Sequence, residues 1–176
     1  VSSVGNQLVV GIGSGHGDDR AGWHLSDALR ERDGLPAEFR KASVPHDLID
    51  WLDGIDTIHL ADAWTVQREL RRFEMIPPSG PEFGIRFRAT SLPVHDREER
   101  SNAQWESVPA LRCSSSHQMD FAATMQLAGV LGRLPRCVVL WTIPARQMQP
   151  GQSISTDCLA QVRQCAALIA KEICHA

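Results

Sequence analysis

Apolar residues along the chain gather into short runs and one-faced stripes, and the two kinds of pattern alternate. Residues 7–12, QLVVGI, are a short apolar run closed by Gly13, the mark of a buried strand. Over residues 18–32 Ala21, Leu25, Ala28 and Leu29 recur on one face, and Arg30, Glu31 and Arg32 fall toward water, so a helix is predicted. Gly34-Leu35-Pro36 ends it. Residues 37–42 predict a second strand, 46–52 a short helix, and 55–61 a strand that ends by running into Asp62. Regularity then drops. Arg71-Arg72 reads as a solvated helix face, and Pro77-Pro78-Ser79-Gly80-Pro81 is a turn region. Phe83, Ile85 and Phe87 alternate with Gly84, Arg86 and Arg88, which predicts an exposed or edge strand. Residues 95–107 are polar and read as a surface loop or lid. Order returns over 117–132, where Phe121, Met125 and Ala128 have helical spacing. Residues 137–143 are a strongly apolar strand and 144–151 a loop. Ser155 or Thr156 caps a last helix with the stripe Leu159, Val162, Ala166, Ile169 and Ile173.

Strand alternating with helix predicts an α/β fold, a mostly parallel sheet covered by helices on both faces. Right-handed crossovers would bring Gly13, Asp62 and the loop around Ile143 to one rim, where such sheets bind ligands. The 176 residues, 43% of them hydrophobic, fit a single domain over 1–176. A formal net charge of -3 argues against nucleic acid or an anionic membrane as partner. No apolar run is long enough to span a bilayer, and no basic segment with a long apolar core opens the sequence, so neither membrane insertion nor secretion is expected. Cys113, Cys137, Cys158, Cys165 and Cys174 form no CxxC pair. They predict free thiols in a cytoplasmic, reducing setting.

The stretch Gly11-Ile12-Gly13-Ser14-Gly15-His16-Gly17-Asp18-Asp19 follows the first strand and invites comparison with a phosphate cradle. No register satisfies G-x-G-x-x-G, and no Gly-Lys-Ser or Gly-Lys-Thr closes it. Asp18 and Asp19 would also repel an anion at the helix start. They equally suit the first helical turn, where unpaired N–H groups favour acidic residues. The sharper alternative is a cation site. Asp19, Asp62 and His117 would then come from successive loops of one rim, and one imidazole with two carboxylates is a mixed donor set that suits Ni, Zn, Co or Fe. His16 reads as a turn residue or a substrate contact. Ser115, Ser116 and Asp120 beside His117 do not make a serine triad, because no G-x-S-x-G elbow is present. His95-Asp96 reads as solvated loop. Trp64, Trp105 and Phe83 are candidates for a peptide-binding surface or for packing.

Four stretches in order carry a resemblance: Gly11-Ile12-Gly13 through Asp18-Asp19-Arg20-Ala21-Gly22; His59-Leu60-Ala61-Asp62-Ala63; Ser115-Ser116-His117; and residues 137–143 with Gln149-Pro150-Gly151 and the terminal helix. Together they resemble the hydrogenase maturation proteases, the endopeptidases that process nickel–iron hydrogenase large subunits. The resemblance implies a three-layer α/β/α sandwich. It implies removal of a C-terminal peptide from a nickel-loaded large-subunit precursor. It gives Asp19, Asp62 and His117 the roles of metal ligands and catalytic residues. The nickel would be supplied by the precursor, with another divalent metal an option in the isolated protein. Ser14-Gly15-His16-Gly17 stands where the family has Asn and a bulkier stretch. That departure leaves an alternative, a noncatalytic partner that binds the precursor or delivers metal.

Overall fold

The computed structural model describes residues 5–76, 85–92 and 121–175. Among these residues six strands form one sheet: β1 (Gln7–Ile12), β2 (Glu38–Ala42), β3 (Thr57–Trp64), β4 (Arg71–Ile76), β5 (Arg86–Thr90) and β6 (Cys137–Pro144). Their order is β2-β1-β3-β6-β4-β5. The β2, β1, β3 and β6 strands run parallel, while β4 is antiparallel to both β6 and β5. Among the described residues the α-helices α1 (Ala21–Arg30), α2 (Phe121–Val130) and α3 (Thr156–His175) flank it, with short 3-10 helices at Gly17–Arg20 and Pro45–Trp51. The mostly parallel α/β/α sandwich is therefore the observed architecture.

Each central strand is buried on both faces, which is why it reads as an unbroken apolar run. Odd-numbered positions Val9, Ala61, Val139, Trp141 and Ile143 pack against Leu25 and Leu29 of α1 and Val162, Cys165 and Ile169 of α3. Even-numbered Leu8, Val10, Ile58, Leu60, Val138 and Leu140 pack against Leu48 and Leu52 and against Phe121 and Met125 of α2. No helix among the described residues is long and apolar enough to cross a membrane. Cys158 and Cys165 are buried free thiols and Cys137 and Cys174 are exposed ones. Cys113 lies outside the described residues.

Three boundaries differ from expectation. The helix expected over 18–32 divides: a 3-10 turn carries both aspartates, and α1 proper begins at Ala21 and stops at Arg30. The strand expected to end at Asp62 continues to Trp64, so Asp62 is a strand residue. Arg71-Arg72 is no helix face but the start of β4. Two arginines and Glu74 break the apolar signal there; Arg71 is exposed, whereas Arg72 is largely covered and its charge is met by carboxylates. Arg72 has a side chain only 11% exposed, with ion pairs of 2.6 Å to Glu74 and 2.8 Å to Glu172 of α3. Its guanidinium also lies over the Trp141 ring, 5.6 Å from the centroid. Beside it His59 is buried, and its Nδ1 accepts from Trp141 Nε1 at 3.3 Å. Burial, and then the positive Arg72, push the His59 pKa down to about 4.

The edge strand expected around Ile85 and Phe87 is β5, with Phe87 buried against Phe121. Trp64 packs on Phe73 at 6.3 Å between ring centroids, so it serves packing. Phe83, Trp105, the Pro77 turn, His95-Asp96 and residues 95–107 lie outside the described residues, as do Ser115, Ser116 and Asp120.

Candidate active site

The carboxyl ends of β1, β3 and β6 form one rim, and the glycine-rich stretch determines how the chain turns there. Its glycines mostly serve contact rather than unusual backbone angles. A Cβ at Gly11 would overlap the Gly22 carbonyl of α1, and a Cβ at Gly22 would overlap the Ile12 carbonyl. A Cβ at Gly13 would strike the Asp19 carbonyl. The start of α1 therefore lies backbone to backbone on β1. Ser26 completes the seam: its Oγ accepts from Gly11 N at 2.9 Å and donates to the Arg40 carbonyl at 2.8 Å. Trp23 Nε1 donates to the Ala42 carbonyl at 2.9 Å. Only Gly17 within the stretch has a positive φ, 50°, where glycine is favoured.

Asp18 is fully buried, and its work is structural. Oδ2 accepts from the N–H groups of Arg146 (2.9 Å) and Gln147 (3.2 Å), and Oδ1 accepts from Ser155 N at 2.7 Å. Ser155 in turn caps α3, its Oγ accepting from Cys158 N at 3.2 Å. Burial alone would raise the Asp18 pKa, but the hydrogen bonds from Arg146, Ser155 and Gln147 together hold it below the usual carboxylate range. The first aspartate thus clasps the β6–α3 connection and the α3 N-terminus to the opening loop. Burial, and then Asp18, push the Cys158 thiol up to about 12, which keeps it neutral.

Asp19 follows in the same 3-10 turn and is also largely buried. Its main chain is held on both sides, with N donating to His16 O at 3.0 Å and O accepting from Ser14 N at 3.2 Å. Asp62 lies in β3, next in register after the Gly11–Ala61 pair and opposite Thr142 of β6. It is half-buried, shares the sheet face of Leu60, and its Oδ1 accepts from Ala63 N at 2.9 Å. Both carboxylates thus belong to the same carboxyl rim, one from the loop after β1 and one from the adjacent strand. His117 lies outside the described residues. His16 is exposed at the start of the 3-10 turn. Among the described residues, no three His, Cys, Asp or Glu side chains are grouped to hold a metal ion. Two carboxylates from adjacent elements do fit a divalent cation as donor chemistry, and they need a further ligand to complete a site.

Beside this rim lies an open groove of about 610 Å³ between the β3–β4 connection and the N-terminal turns of α3. Neither the groove nor Gln67 stood out in the sequence. Gln67 Nε2 donates to the Thr142 carbonyl at 2.6 Å, and Thr142 Oγ1 donates to Gln67 Oε1 at 2.9 Å. A glutamine in an irregular stretch carries no pattern that would reveal such a partner.

No protein-family model and no curated protein matches the chain. Its fold recurs in solved structures. The hydrogenase maturating endopeptidase HybD from E. coli is 16% identical with a TM-score of 0.67, over 97% of this chain and 93% of that one. The [NiFe] hydrogenase maturation protease HycI from Thermococcus kodakarensis KOD1 is 14% identical with a TM-score of 0.62, over 96% and 92%. An endopeptidase from Escherichia coli solved in solution is 19% identical with a TM-score of 0.65, over 93% and 89%. At these identities the likeness establishes a shared fold along nearly the whole of each chain.

Proposed function

We propose that the protein is a hydrogenase maturation protease, a single-domain, metal-dependent endopeptidase of the cytoplasm. Its substrate is a nickel-loaded hydrogenase large-subunit precursor, from which it removes a C-terminal peptide. The observation that carries this reading is the whole-chain likeness to hydrogenase maturation endopeptidases. The motif carboxylates Asp19 and Asp62 support it, because they belong to the rim where parallel sheets bind ligands.

In this reading Asp19, Asp62 and His117 engage the nickel that the precursor brings, and another divalent ion is an option in the isolated protein. A divalent ion so held polarises a carbonyl or lowers the pKa of an attacking water. The chain's own contribution is placement. Backbone contacts between β1 and α1 fix the Asp19 main chain, and strand pairing fixes the Asp62 backbone.

Incubation with the nickel-loaded precursor tests the proposal. Mass spectrometry should record loss of a C-terminal peptide, and Asp19→Asn, Asp62→Asn and His117→Ala should each abolish it. A folded protein that binds the precursor and cleaves nothing would leave the noncatalytic precursor-binding partner in its place.

A further inference from the structure

The groove beside the rim has a composition that the proposed chemistry does not use. Its walls are Thr65, Gln67 and Arg68 from the β3–β4 connection, Arg146 from the β6–α3 connection, and Asp157 and Gln161 from α3. Ligand pockets commonly measure about 300–1,000 Å³ but are mostly apolar. This one is polar and open along one side, which suits an extended peptide better than a compact apolar ligand.

Its charges are unevenly committed. Asp18, at the floor, is satisfied by three main-chain N–H groups. Asp157 stands 3.5 Å from Arg146 at the mouth. Arg68 is exposed and has no carboxylate partner among the described residues. Among the described residues, the groove therefore presents the Arg68 guanidinium without a carboxylate partner, beside amide and hydroxyl groups.

Position gives the groove its use. Ala145 and Cys158 at its base belong to the core under α1 and α3, whereas Asp62 faces the opposite side of the sheet. The β3 chain leads from Asp62 to Thr65, a span of about 10 Å at roughly 3.3 Å per extended residue. A peptide crossing the rim between β3 and β6 reaches the groove within a few residues of the Asp62 carboxylate.

We infer that this groove seats the part of the precursor's C-terminal extension that runs away from the cleaved bond, with Arg68 donating hydrogen bonds to a carboxylate of that segment. The inference rests on the endopeptidase reading above. Steady-state cleavage of the nickel-loaded precursor tests it with Arg68→Glu and with Ala160→Trp, which fills the groove from an exposed position on α3. Circular dichroism checks that both variants fold.

Each variant should raise KM roughly tenfold, the scale of losing one charge-assisted contact, and leave kcat within about twofold. The penalty should vanish on a precursor whose extension is cut to its first few residues. Introducing Lys residues into the extension should restore KM for Arg68→Glu alone. Variants that keep the wild-type KM, or a penalty that persists on the shortened precursor, overturn the inference while the active wild type upholds the parent reading. A wild-type protein that cleaves no precursor removes both.

Discussion

Replacing Asp18 by Asn should destabilise the protein by about 3–5 kcal/mol while leaving its shape nearly unchanged. The wild-type carboxylate accepts three main-chain hydrogen bonds, two on Oδ2 and one on Oδ1. An asparagine oriented to keep the Arg146 and Gln147 bonds turns its NH2 toward Ser155 N. That strands one buried donor, at about 1–3 kcal/mol, and the two retained bonds lose their ionic character, about 1 kcal/mol each. The carboxylate also stands at the N-terminus of the 20-residue α3, where a negative charge is favoured.

The effect has a pH signature. The folded Asp18 pKa lies below its ordinary 3.8. Its stabilisation is therefore whole above pH 3.8 and is lost as pH falls through the folded value, because the unfolded chain takes up the proton first. Urea unfolding followed by tryptophan fluorescence should show a gap between wild type and Asp18→Asn that is constant near neutrality and closes below about pH 3.8. A variant within about 0.5 kcal/mol of wild type at neutral pH would refute the clasp, as would a gap that widens on acidification.

Gly22→Ala should cost about 3 kcal/mol in the same unfolding assay although alanine favours helices, because the added methyl overlaps the Ile12 carbonyl and crowds that of Ala61. Gly15→Ala, where a Cβ meets nothing within 4 Å, should stay within about 0.5 kcal/mol of wild type. His59 should remain neutral in the fold to about pH 4, so the unfolded chain, at 6.5, binds a proton that the native state refuses. Stability from this group is whole above pH 6.5 and falls by about 3 kcal/mol as pH drops to 4. Comparing the pH slopes of wild type and His59→Gln in urea measures that loss, and imidazole resonances of the folded protein read the titration directly.

Much of the architecture was legible because the central strands are buried on both faces. The runs at β1, β3 and β6 needed no partner to be recognised, and the α1 stripe of Ala21, Leu25 and Leu29 lies on the core as its spacing requires. β4 was not legible, because its arginines look solvated until Glu172 is known to meet Arg72 from a hundred residues away. Sequence periodicity reports which face is apolar, and it is silent about charges neutralised by distant partners. Of the candidate site, only the placement of Asp19 and Asp62 along one carboxyl rim was legible, since strand ends in a parallel sheet are fixed by topology. That Asp18 is the one bound by the β6–α3 connection was not, because its partners Arg146, Gln147 and Ser155 lie more than a hundred residues away.

The opening loop resolves into two tasks that the sequence writes side by side. Gly11, Gly13 and Gly22 bring α1 onto β1, which needs small residues at both contact points. Asp18 then ties the loop to Arg146, Gln147 and Ser155. The main chain at Asp19 is thereby held from both sides, by the seam with the sheet and by the clasp with α3. A carboxylate asked to meet a cation gains from such support, because little conformational freedom of its backbone remains to be lost on binding. Asp18→Asn should accordingly weaken precursor cleavage through the mobility of Asp19 even at temperatures where the variant stays folded. Under the proposed function, Asp62→Asn, set on a paired strand, should abolish cleavage and change unfolding free energy by far less than Asp18→Asn. Cleavage and unfolding measured on both variants separate the two tasks. Equal stability losses from the two substitutions would show that the clasp and the reactive carboxylate had been assigned to the wrong aspartates.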